Sequence, residues 1–125
     1  MSRDFVAYRK HLKEHIARLR KRIPSCITGF GQLHQEGMKA GALDVKQKEL
    51  IALAIGIVQH CDGCIAFHMH EALSQGATPE EICEAIGVAV VMGGGPALMY
   101  AAHAMEALEQ FAGTNAPAPT AEGAL

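Results

Sequence analysis

Tryptophan is absent from this chain of 125 residues, and its six aromatic residues (two Tyr, four Phe) are too few for a platform on which nucleobases stack. Alternation of apolar and polar residues never lasts long enough to mark a strand. None of the apolar runs is read as reaching the ~20 residues of a membrane helix, so no membrane span is expected. The opening Met-Ser-Arg-Asp-Phe has no secretory-leader pattern, and Asp4 and Glu14 argue against a transit peptide. The expected compartment is the cytoplasm, where thiols stay reduced. Charge is also scarce, at 19% of residues against 50% hydrophobic, which excludes extended disorder. A chain of this length suits one domain and can hold a core without disulfides or metal. Its four cysteines therefore point to chemistry or metal binding rather than to a structural staple.

What the sequence does have is helical periodicity. Phe5, Tyr8, Leu12, Ile16, Leu19 and Ile23 recur at spacings of three and four, which predicts an amphipathic helix over 3–22 ended by Pro24. A second helix is expected over 25–40, with Ile27, Phe30, Leu33 and Met38 as its apolar face. Asp44 and Gln47 form a capping-box pattern, and the third helix, over 45–58, is apolar nearly all round and so central. A fourth is expected from Cys61 to Gly76. Thr78-Pro79-Glu80-Glu81 starts a fifth, over 79–92, which stops at Gly93-Gly94-Gly95. Pro96 opens a sixth, over 96–111. The fold class that follows is an all-α, compact bundle of about six helices in one domain, 1–111, with a disordered tail over 112–125.

Charge is divided unevenly along the chain. Residues 1–22 hold eight Lys/Arg against two acids, and the remainder three against eleven. A basic helix over 1–24 can bind nucleic acid or an anionic membrane. The better reading is a solvated amphipathic helix, with no nucleic acid and no membrane as partner.

The chemistry concentrates in Cys61-Asp62-Gly63-Cys64-Ile65-Ala66-Phe67-His68. Two cysteines three apart at a helix start lie on nearly one face, where their sulfurs can join. The helix N-terminus favours thiolate, and His68 lies one turn beyond Cys64. A thiol of ordinary pKa is only about 3% thiolate at pH 7, and lowering that pKa by about two units takes about 2.7 kcal/mol. If the third and fourth helices form an antiparallel hairpin, Glu49 lies level with His68, where a carboxylate would fix the imidazole's tautomer. The alternative is a first-turn acid pointing to solvent.

The joint pattern of Glu49, Cys61, Cys64 and His68, with the Gly-Ala-Thr-Pro-Glu-Glu-Ile turn and the Gly-rich break, resembles the alkylhydroperoxidase D-like, carboxymuconolactone decarboxylase family over about 43–111. The resemblance implies an all-α homo-oligomer, commonly a trimer or hexamer. It implies a thiol-dependent peroxidase or disulfide oxidoreductase that needs no cofactor. In such a cycle one thiolate attacks an organic hydroperoxide, or a small disulfide, and the partner cysteine closes a disulfide. An external dithiol then reduces it. By family pattern Cys64 attacks, Cys61 resolves, and Glu49 with His68 relays the proton; the cysteine roles can also be reversed. The best-known peroxidase branch carries a second His just before the second cysteine. Gly63 stands there, after Asp62, an acid that would oppose thiolate if it approached the sulfurs. The decarboxylase branch lacks the cysteine pair, so lactone decarboxylation is not expected.

Two alternatives compete with that reading. One is a non-catalytic oligomeric binding or scaffold protein of the same fold. The other is a zinc site on Cys61, Cys64 and His68, with a fourth ligand from Cys26, Cys83 or another His. Cys26 and Cys83 are otherwise expected as buried small apolar residues. His11 and His15, His60 and His70 are expected at the surface. His34 and His103 have no identifiable partner.

Overall fold

A computed structural model describes residues 2–113. Of the tail expected over 112–125, Ala112 instead ends a helix capped by Gly113, and 114–125 lie outside the described residues. The described residues form five helices: α1 Phe5–Arg22, α2 Pro24–Met38, α3 Val45–Val58, α4 Asp62–Ser74 and α5 Pro79–Ala112. Four of them start on side chains that the sequence supplies, α4 on Cys61. Asp4 accepts from the Ala7 amide at the head of α1. Asp44 with Gln47 and Thr78 with Glu81 close full capping boxes at α3 and α5, each satisfying two amides that a helix start otherwise leaves unpaired.

The expected fifth and sixth helices are the two halves of α5. The chain breaks helical geometry only at Gly94, with φ 68° and ψ −151°, a conformation essentially reserved for glycine. The expected break is therefore present, as a kink at one residue, and two helical stretches join across it as one element where two were expected. The uncharged stretch from Ile86 to Met105 also corrects the expectation about apolar runs. By length and composition alone α5 passes as a membrane span. Here its Ile82, Ala89, Ala97, Ala101, Ala104 and Leu108 are buried in the core.

That core lies between α3, α4 and α5, with Leu53, Ile57, Ile65, Met69 and Ile82 fully enclosed. Helix α1 rests on α4 and α5 through Phe5, its one buried residue. Its apolar face runs past the core, so Ile16, Leu19 and Ile23 are exposed. Helix α2 buries nothing, and Phe30 and Leu33 are 65% and 68% exposed. Apolar side chains of α3 and α5 also face outward: Ile51, Ile55, Val88, Val91, Met92 and Met99. The third helix is central, as its composition required, yet one of its flanks is bare.

Candidate active site

Helix α4 starts at the pair of cysteines. Cys61 is its N-cap, with extended backbone, and its Sγ accepts the Cys64 amide N–H at 3.2 Å. The two Sγ atoms lie 2.6 Å apart and both thiols are free. Closing them to a disulfide of about 2.05 Å asks for little movement of the chain. The Cys64 side chain approaches α3 as closely as it does because residue 56 is glycine. A Cβ on Gly56 would stand 2.8 Å from the Cys64 Cβ.

Burial first, and then the hydrogen bond and charge of Cys61, push the Cys64 thiol up to about 12. Two sulfurs in contact cannot both ionise cheaply, so the pair sheds its protons in separate steps. In the singly ionised pair the helix-tip amide already points at Cys61.

Below the cysteines, His68 Nδ1 lies 3.1 Å from Glu49 Oε2. Glu49 is the only buried charged residue among those described, at 3% exposure. The α3–α4 hairpin thus brings the carboxyl group level with the imidazole rather than into solvent. An ionised carboxylate only accepts hydrogen bonds, so Nδ1 carries the hydrogen and Nε2 keeps its lone pair. The His68 side chain retains 19% exposure, against 4% for Glu49.

Cys61, Cys64 and His68 open on a common cavity of about 480 Å³. Its other walls are mostly apolar and come from three helices: Leu12 and Ile16 of α1, Phe30 of α2 beside the polar His34, and Phe67 of α4. Gly63 is covered by α1, since a Cβ there would meet Leu12 Cδ1 at 3.2 Å. A histidine at 63 would have to displace that wall, which gives the departure from the family pattern a structural counterpart.

Asp62 lines a hollow separate from the cysteine cavity. Its carboxylate meets Arg3 Nε at 3.3 Å and His103 Nδ1 at 2.8 Å. His103 therefore has a partner, contrary to expectation, and that partner lies 41 residues earlier in the chain. No local pattern could have announced either contact. His60 is exposed and stacks on Tyr100 at 4.8 Å. His70 sits beside Glu71 at 3.2 Å. His34 lines the cavity. The His11 and His15 rings lie 4.1 Å apart on an exposed stretch of α1.

Cys26 and Cys83 are exposed rather than buried, because α2 lies off the core and Cys83 is on the outer side of α5. Among the described residues no three His, Cys, Asp or Glu side chains converge in a metal-holding arrangement. Such a convergence is what zinc on Cys61, Cys64 and His68 would need.

Comparison with known proteins gives these residues a context. Residues 27–107 match the carboxymuconolactone decarboxylase family. A protein of Cupriavidus necator is 32% identical over 105 residues, covering 84% of this chain and 93% of its own length. The crystal structure of a carboxymuconolactone decarboxylase family protein from Legionella pneumophila in its apo form is 48% identical, with a TM-score of 0.85. It covers 87% of this chain and 97% of its own. A family member from Thermotoga maritima, for which involvement in antioxidative response is suggested, is 34% identical with a TM-score of 0.70. It covers 88% and 91% of the two chains.

Proposed function

The chain belongs to the carboxymuconolactone decarboxylase family, and from that premise we propose that it is a thiol-dependent peroxidase and disulfide oxidoreductase working through Cys61 and Cys64. The observation that carries this reading is the pair of touching sulfurs, which share one cavity with an imidazole that a buried carboxylate holds from behind. The antioxidative role suggested for the Thermotoga relative points the same way.

In the proposed cycle Cys64 gives its proton to Nε2 of His68, and Glu49 stabilises the imidazolium that results. Burial disfavours the Cys64 thiolate, and the relay answers that cost. The thiolate attacks one oxygen of an organic hydroperoxide. The O–O bond breaks, the alkoxide takes the proton back from His68 and leaves as the alcohol, and Cys64 becomes a sulfenic acid. Cys61 then displaces the hydroxyl as water, forming the disulfide. An external dithiol returns both sulfurs to thiols and is itself oxidised. The apolar cavity walls suit an organic peroxide or small disulfide. The bare apolar flanks of α3 and α5 suit assembly into a homo-oligomer, a trimer or hexamer.

Free thiols counted before and after one equivalent of cumene hydroperoxide test this reading. Two thiols per chain are expected to disappear. Cys61→Ser is expected to stop at a sulfenic acid trapped by dimedone, and Cys64→Ser to lose none. Glu49→Gln is expected to slow the loss by about 10²- to 10⁴-fold. Thiol loss in Cys64→Ser at the wild-type rate would refute the assignment.

A further inference from the structure

The two neighbours of Cys61 are both tied to the second half of α5, and the ties differ in kind. His60 holds φ 58°, a left-handed conformation unusual for a residue with a side chain, and stacks its ring on Tyr100. Tyr100 in turn packs against His103, with ring centroids 4.7 Å apart. On the other side, Asp62 is only 15% exposed and receives two cationic or proton-donating partners, Arg3 and His103. An acid in the first turn of a helix needs no partner, since the helix dipole already favours it. This one is nonetheless held twice.

Arg3 is itself fixed in place. Its amide donates to Glu106 Oε1 at 2.7 Å and its carbonyl accepts from Gln110 Nε2 at 2.7 Å. Its guanidinium lies 4.2 Å from the centre of the Tyr8 ring. The segment before α1 is thereby strapped to α5, and the strap delivers a positive charge to the residue lodged between the two cysteines. Glu106 lines the same hollow, of about 470 Å³, as Arg3, Asp62 and His103.

We propose that Arg3 and His103 are positioning residues of the cysteine site: they take up the charge of Asp62 and hold it away from the sulfurs, keeping the Cys61 thiolate accessible. The inference rests on the redox reading of Cys61 and Cys64, but its test reads the thiols directly and requires no peroxide turnover. Without its partners, Asp62 is a free anion adjoining Cys61, and a free anion there disfavours a second negative charge. A weakened thiolate also destabilises the reduced pair, so the disulfide potential moves to more negative values.

The test uses the full chain carrying Cys26→Ser and Cys83→Ser, two exposed positions outside the site. Cys61 alkylation by iodoacetamide at pH 7 is followed by mass spectrometry, and the disulfide potential is measured against a glutathione series. Arg3→Gln and, separately, His103→Phe are each expected to slow alkylation about three- to tenfold, the change that a half to one unit of thiol pKa produces. Each should lower the potential. Asp62→Asn removes the charge that needs holding, so Arg3→Gln placed on Asp62→Asn is expected to restore the parent rate. A purely structural role for the strap would leave that double variant slow. Unchanged alkylation and potential in both Arg3→Gln and His103→Phe, or no rescue by Asp62→Asn, would overturn the proposal. A chain that turns over no peroxide yet shows the rescue would uphold the clamp and refute the peroxidase reading alone.

Discussion

Replacing Gly56 with alanine adds one methyl group at the tightest point between α3 and α4. The new Cβ would sit 2.8 Å from the Cys64 Cβ, whereas carbon atoms rest at about 3.5–4.0 Å. Cys64 must therefore retreat by roughly an ångström, and the obstacle is the root of a side chain rather than a flexible tip. Overpacking of this kind costs about 1–3 kcal/mol, while exchanging glycine for alanine within a helix returns about 1 kcal/mol. The net effect on stability is a loss of about 0–2 kcal/mol. Gly87 is the matched control, an exposed helical glycine with nothing within 4 Å of its added Cβ. Gly87→Ala should gain the propensity term alone. The two variants are then expected to melt several degrees apart, at about 3–6 °C per kcal/mol for a chain of this size. The larger consequence is chemical. Moving a reacting sulfur by about 1 Å relative to His68 is expected to slow hydroperoxide-dependent thiol loss about 10- to 100-fold. Thermal melts and thiol titration of both variants check this. If Gly56→Ala melted with Gly87→Ala and kept the wild-type rate, the claim that Gly56 sets the position of Cys64 would be wrong.

Two further outcomes follow from the same geometry. Because the folded chain holds the Cys64 proton up to about 12 against an ordinary 9.0, the unfolded chain releases that proton first as pH rises. The contribution to stability is intact below about pH 9 and is lost toward pH 12. Denaturant melts of wild type and Cys64→Ser across that window should diverge, with the wild type showing the steeper fall. Gly94→Ala forces a side chain into a conformation only glycine adopts readily, so it is expected to cost about 1–3 kcal/mol. A lowered thermal midpoint checks this, and an unchanged one would mean that the kink relaxes freely.

Local chemistry made much of this architecture legible. Asp44 with Gln47, and Thr78 with Glu81, are caps whose partners lie three residues away, so the starts of α3 and α5 could be read directly. The level pairing of Glu49 with His68 needed one assumption beyond local pattern, a tight hairpin between α3 and α4. What stayed hidden depends on residues distant in sequence. The contacts of Asp62 with Arg3 and His103 arise only when α1, α4 and α5 converge. The exposure of Cys26 reflects where α2 lies, not what surrounds it in the chain. Gly56 did carry a signal, a glycine within an apolar helix marking close approach of a neighbour, but nothing local named Cys64 as that neighbour. Three consecutive glycines suit a helix break, and the break falls among them, at Gly94. That a single residue there would join the two stretches as one kinked element was not legible from the glycines alone.

Water reaches one end of the Glu49–His68 couple and not the other. With 4% of its side chain uncovered against 19% for its partner, the carboxylate cannot trade hydrogen ions with bulk solvent by itself. The sulfurs face the open cavity directly, but any such traffic from the acid has to cross the imidazole edge. The acid then works as a sealed ballast that steadies the ring, and the ring is its doorway.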